Sequence, residues 1–159
     1  MLKYYDLSDD ITLNIDYEIK FYNQSFISIM YFGLGTAANT AHGTNWCYSF
    51  NLDILNNKKI KLNQLINIDS SLLNIFKKTI NENFPFVIRQ YIKEISDEEI
   101  IVKLKSSDSL ELEIQNQYDV FSCFTEDKIY ISFPTIYAIG NYIIVELNIT
   151  PDLKLSSPY

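Results

Sequence analysis

The chain has 159 residues and a mass of 18.6 kDa, enough for one domain that buries roughly 68–70% of the surface its unfolded form would expose. Apolar residues make up 47%, with 12 Tyr and 10 Phe but four Gly and four Pro, which excludes collagen-like, low-complexity and linker-dominated chains. Thirteen basic residues against twenty acidic ones leave a formal charge of −7, and no basic cluster in the sequence reverses it locally; such a surface repels nucleic-acid phosphates and anionic lipid and suits a cationic partner.

The opening residues MLKYYDLSDD hold no apolar signal core, and no apolar run approaches the roughly 18 residues of a membrane span. Taken as a full gene product, the chain is expected in the cytoplasm. Taken as a piece of a larger anchored or secreted protein, it is extracytoplasmic. Residues 1–10 and 150–159 read as tails of a single domain, 1–159, with its core at about 11–149.

Residues 11–21 alternate in type. Ile11, Leu13, Ile15, Tyr17, Ile19 and Phe21 face one way and Thr12, Asn14, Asp16, Glu18 and Lys20 the other, the pattern of a half-buried strand. YNQS is turn material and FISIMYFG a second strand, so the two make a hairpin. Residues 46–54 form a third strand, with Trp46, Tyr48, Phe50, Leu52 and Ile54 on one side. NNKK turns the chain, and IKL is a brief fourth strand.

Near Asp69 the period lengthens to that of a helix. Asp69 or Ser70 caps a helix that carries Leu72, Ile75, Phe76, Thr79 and Ile80 on one face. Pro85 suits a first helical turn, and Ile88, Tyr91, Ile92 and Ile95 follow at helical spacing. Ser96 with Glu99 forms a capping box ahead of Ile100, Ile101 and Leu104. The helices span about 69–105, and KSSDS ends them. From residue 110 the period is two again: LELEIQ alternates, VFSCF and KIYISF make a hairpin across TEDK, and NYIIVELNI is the last strand. Strands, then helices, then strands predict an α+β fold, an antiparallel sheet with hairpins at both ends of the chain and two or three helices packed on one face.

The second strand runs into GLGTAANTAHG, residues 33–43. Gly33, Gly35 and Ala38 match the dinucleotide fingerprint G-x-G-x-x-A, with Asp53 downstream. That motif binds pyrophosphate only at the mouth of a helix, whereas β-patterned sequence follows here, so the match is accidental and no cofactor is expected. What remains is a loop of small residues that ends in the single histidine, His42, with Gly43 able to take a positive φ.

Catalytic chemistry has little to draw on. Any Ser-His-Asp or Cys-His system would need His42, and a zinc site needs about four N or S ligands where the chain offers one His and two distant Cys. No metal and no enzymatic activity are expected. Cys47 and Cys123 lie in apolar strands and read as small packed hydrophobes, with one bridge between them left open if the strands are neighbours. Glu98 and Glu99 read as a solvated first helical turn. His42 either ties its loop through a backbone carbonyl or meets a partner. Trp46 fits the core by its spacing, yet stands near the loop as a candidate anchor. Tyr137 either shares that edge or caps the core with its hydroxyl in water.

The stretch TAHGTNWCYSFNLDILNNKKIKLNQLI resembles the extracytoplasmic domain of RsiV-type lysozyme-sensing anti-sigma factors, a domain also found beside peptidoglycan deacetylase domains. Ala41, His42 and Gly43, then Asn51, Leu52 and Asp53, then Leu62 and Leu65 carry the likeness. Tyr137, Ala138 and Gly140 within FTEDKIYISFPTIYAIGNYIIVELNI extend it, so that it covers about residues 15–149. The resemblance implies a non-catalytic cell-envelope binding module whose partner is lysozyme or another basic, peptidoglycan-related protein. His42, Gly43, Asn45, Trp46 and Tyr137 are the candidate binding residues. An intracellular immunity-type protein that binds a basic toxin, or a small adaptor, is the alternative class. Nothing in the pattern sets an oligomeric state.

Overall fold

The computed structural model describes residues 10–38, 42–109 and 119–149. The predicted strand LELEIQ, the tails 1–9 and 150–159, and Ala41 lie outside them. β1 (Ile11–Tyr22) and β2 (Phe26–Ala37) form a long hairpin. Asn23 closes it, its side-chain Oδ1 accepting the N–H groups of Ser25 and Phe26 at 2.8 and 2.7 Å. β3 (Thr44–Asp53) pairs antiparallel with β2, and β4 (Lys58–Lys59) adds a short rung at Leu52 and Asp53. The brief fourth strand therefore lies immediately before IKL, and Leu62–Leu65 coils into a one-turn helix, α1.

Three longer helices follow: α2 (Ser70–Asn83), α3 (Phe86–Glu94) and α4 (Asp97–Lys105). Asp69 caps α2 by accepting the N–H groups of Ser71 and Leu72, and Ser96 caps α4 by accepting that of Glu99. Pro85 is the cap residue of α3, one position earlier than a first helical turn. The chain ends in β5 (Phe121–Phe124), β6 (Lys128–Pro134) and β7 (Tyr142–Asn148), with a 3₁₀ turn at Tyr137–Ile139 before β7. The fold is α+β, as expected, but the antiparallel sheet is divided into two, β1-β2-β3-β4 and β5-β6-β7. The main core lies between the helices and the second sheet, where Leu72, Phe76, Ile80, Ile100 and Leu104 meet Ile129, Ile131, Phe133, Val145 and Leu147.

The first sheet corrects the reading of its strand faces. Leu13, Ile15, Tyr17 and Ile19 are 39–62% exposed, and Tyr48, Phe50 and Leu52 are only half-buried. On β2 and β3 the opposite, polar side faces inward, with Ser28, Ser49 and Asn51 all buried alongside Met30. The reason lies in β5. One of its edges pairs with β6, and the other is laid against this inner face, where it has no ladder partner among the described residues. Its backbone groups bond to side chains instead. Asp108 Oδ1 accepts the Ser122 N–H at 2.7 Å, the Asn51 side-chain amide donates to the Ser122 carbonyl at 2.8 Å, and the Phe124 N–H donates to Ser28 Oγ at 2.8 Å. An apolar row here would orphan these groups at about 1–3 kcal/mol each.

Asp108 is the hub of this junction. Besides the Ser122 N–H it accepts the Ser122 hydroxyl at 2.6 Å, the Leu62 N–H at 2.9 Å and the Ser49 hydroxyl at 3.1 Å. Its backbone sits at φ 60°, a left-handed conformation that Asp adopts more readily than most residues. Burial pushes its carboxyl above the ordinary range, and the hydrogen bonds from Ser122, Leu62 and Ser49 work against that rise. Cys47 and Cys123 are both free and buried, and with Met30 they form a small second core between the sheets. The bridge left open by the sequence is not formed.

One expectation about charge is also corrected. Folding brings Lys77, Lys78, Arg89 and Lys93 together on α2 and α3, a basic cluster that the linear sequence does not display.

Candidate functional site

β2 runs straight through Gly33 and Gly35, so no helix opens at the apparent fingerprint. Gly33 serves packing. A Cβ there would lie 2.2 Å from Cε3 of Trp46, whose indole occupies that space. Trp46 is consequently buried, at 8% exposure, and is not the half-exposed anchor that its place near the loop suggested. Gly43 likewise answers to close approach, because a Cβ would lie 2.7 Å from Cδ1 of Leu34. The positive φ expected at Gly43 occurs instead at Gly140, φ 108°, and at Asn141, φ 72°. That left-handed pair turns the chain from the 3₁₀ turn into β7.

The β2–β3 connection and the β6–β7 connection meet at one end of the molecule. The Tyr137 hydroxyl donates to the Gly43 carbonyl at 3.4 Å, and the rings of His42 and Tyr137 have centroids 6.2 Å apart. The Asn141 side-chain amide donates to the Asn45 carbonyl at 3.3 Å. Four of the five anticipated residues, His42, Gly43, Asn45 and Tyr137, are thus brought together across more than ninety positions of sequence. Trp46 lies beneath them. The outer surface of this end is mixed: His42 is exposed, and Tyr137, Ile136 and Leu34 expose 52%, 51% and 39%.

Beside this end opens a cleft of about 430 Å³, lined by Asn14, Asp16, Phe32, Leu34, Asn45 and Tyr142. Asn45 belongs to both, so tip and cleft are continuous. Asp16 is exposed and forms no ion pair among the described residues; its Oδ1 accepts only the adjacent Tyr17 N–H at 2.8 Å. Two residues along the same face of β1, Glu18 holds Lys20 at 2.5 Å while the ammonium lies 4.6 Å from the centre of the Tyr130 ring. Burial alone would lower the Lys20 pKa, but the hydrogen bond and charge of Glu18 carry it above its ordinary value. A carboxylate and a tyrosine ring therefore already hold one cation on this face. Asp16 with Phe32 and Tyr142 offers the same pairing of groups to solvent.

Asn14, Asp16, Phe32, Asn141 and Tyr142 were not singled out from sequence. The available signal was the polar side of β1, which alternation assigned to solvent, and the Asn-Tyr pair that follows Gly140. Among the described residues no group of three or more His, Cys, Asp or Glu is arranged to hold a metal ion, and no helix is long and apolar enough to cross a membrane.

No family model matches the chain, and no curated protein matches it. Among solved structures the fold is similar to that of a DUF3298 family protein from Pseudomonas aeruginosa PAO1, with a TM-score of 0.51 and 11% identity over 89% of this chain and 63% of that one. The chain thus spans about 63% of that neighbour's length. At this identity the likeness is one of fold, and the fold is that of a domain of unknown function.

Proposed function

We propose that this protein is a non-catalytic binding module of the cell envelope, working outside the cytoplasm, whose His42–Tyr137 end recognises a basic, lysozyme-like protein. The observation that carries the reading is the continuity of the tip with the Asp16 cleft. Exposed His42, Tyr137 and Ile136 supply contact area, and the adjoining recess combines a carboxylate, two amides and two aromatic rings. That combination suits an arginine or lysine side chain, as the hold of Glu18 and Tyr130 on Lys20 illustrates.

The formal charge of −7 supports the same class of partner through long-range steering. The resemblance of the His42 loop to the RsiV-type domain supports lysozyme in particular, with the chemistry of any fused enzyme belonging to another domain. Binding kinetics on an immobilised basic lysozyme test the reading. Raising salt from about 0.02 M to about 0.5 M is expected to cut the association rate by about tenfold or more while dissociation changes little. An association rate indifferent to salt, or no binding to any lysozyme, removes it.

A further inference from the structure

The cleft between α2 and α3 is separate from the tip and carries the opposite charge. It measures about 440 Å³ and is lined by Lys77, Lys78 and Asn81 from α2 and by Arg89 and Lys93 from α3, over an apolar floor of Ile80 and Ile92. Lys77 pairs with Asp97, and Lys78 lies 3.9 Å from Glu82 in a solvated contact of adjacent helical turns. Arg89 and Lys93 have no ion pair among the described residues. The Arg89 side chain is fixed at two points: Nη1 donates to the Asn81 carbonyl at 3.5 Å, and Cζ lies 5.9 Å from the centre of the Phe86 ring. Its Nε is buried without a hydrogen-bond partner.

An acidic chain that gathers four cations around one recess, and leaves two of them without an ion pair among the described residues, has an anion's complement. We infer that this cleft binds a phosphate group, with the two terminal nitrogens of the Arg89 guanidinium forking onto two of its oxygens and Lys93 supplying a further charge. A carboxylate would neutralise one cation, whereas a phosphate near neutral pH carries more charge and three or more acceptor oxygens. The fork also explains why arginine, with its fixed planar donors, stands at the position that Asn81 and Phe86 hold in place. Free inorganic phosphate and a phosphate ester present the same oxygens to this site.

The test is an NMR titration of the full chain with inorganic phosphate at constant ionic strength, read at the Arg89 Nε–Hε signal and at the amides of residues 77–81 and 89–93. The shifts are expected to saturate, to be absent with chloride and small with acetate, and to weaken about tenfold in Arg89→Lys, which keeps the charge but loses the fork. Exposed Lys93→Gln, a variant with little structural risk, is expected to weaken binding several-fold. Glycerol 3-phosphate is the second arm: tighter binding than phosphate assigns the site to an ester, and weaker binding to the free ion. Shifts that grow linearly without saturation, an equal response to chloride, or unchanged affinity in both variants would overturn the inference.

Discussion

Asn51 on β3 donates its side-chain amide to the backbone carbonyl of Ser122 on β5 at 2.8 Å, so a side chain of one sheet stands in for the missing neighbour of a strand in the other. Both residues are fully buried. Replacing Asn51 by Leu, which the strand pattern alone would favour, is expected to lower unfolding free energy by about 2–3 kcal/mol, because the Ser122 carbonyl and the Ser28 hydroxyl both lose a partner. On the outer face of the same sheet, Ile15→Thr is expected to change stability by less than about 0.5 kcal/mol. Denaturant titration of the two variants checks this. A larger loss at Ile15 than at Asn51 would mean that the sheet faces the other way.

The close approach of Trp46 to Gly33 makes a second measurable claim. Gly33→Ala inserts a methyl where the indole lies, so the ring must shift. A loss of about 1–3 kcal/mol is expected, together with a changed near-ultraviolet circular dichroism signal from the single tryptophan. Gly35→Ala serves as a comparison on the same strand. A neutral Gly33→Ala would show that Trp46 is not seated there.

These two cases mark what was legible in the sequence. The helices were, because Asp69 and Ser96 are local caps and a 3.6-residue stripe points to whatever lies beneath it. The strands were also legible as strands. Their inward faces were not: alternation gives the period of a strand but not its sign, and here burial follows the hydrogen-bonding needs of β5, a strand some seventy residues away from Asn51. The division into two sheets has the same cause. At the site, the small-residue loop marked His42, Gly43 and Asn45, and an aromatic after a turn marked Tyr137. Their meeting is long-range, and the Asp16 cleft is assembled from residues of β1, β2, β3 and β7, so it had no local signature. The basic cluster of α2 and α3 had no local signature because its cations come from two helices and are spread from Lys77 to Lys93 along the chain.

The thiols of Cys47 and Cys123 give a pH-dependent test. Burial is the largest cause in each case and pushes both up to about 11 from an ordinary value of 9.0. A pKa raised on folding means that the proton binds the native state more tightly. The associated stability is therefore fully present below about pH 9 and is lost as pH rises through about 11. The native protein at pH 8 is expected to react with a thiol-specific disulfide reagent far more slowly than the unfolded chain. A Cys47→Ala, Cys123→Ala protein should lose less stability between pH 9 and 11 than the wild type. Rapid labelling of the native thiols would contradict their burial.

The tip is the centre of the functional account, and alanine substitution there is its most direct test. Tyr137 and His42 are exposed and contribute little to the core, so Tyr137→Ala and His42→Ala are expected to retain the wild-type thermal midpoint within a few degrees. Calorimetric titration of a basic lysozyme into each variant is the decisive measurement. The account predicts saturable binding by the wild type and a loss of about tenfold or more in Tyr137→Ala, the scale of an interface anchor. Equal affinity in the wild type and in both variants would contradict it.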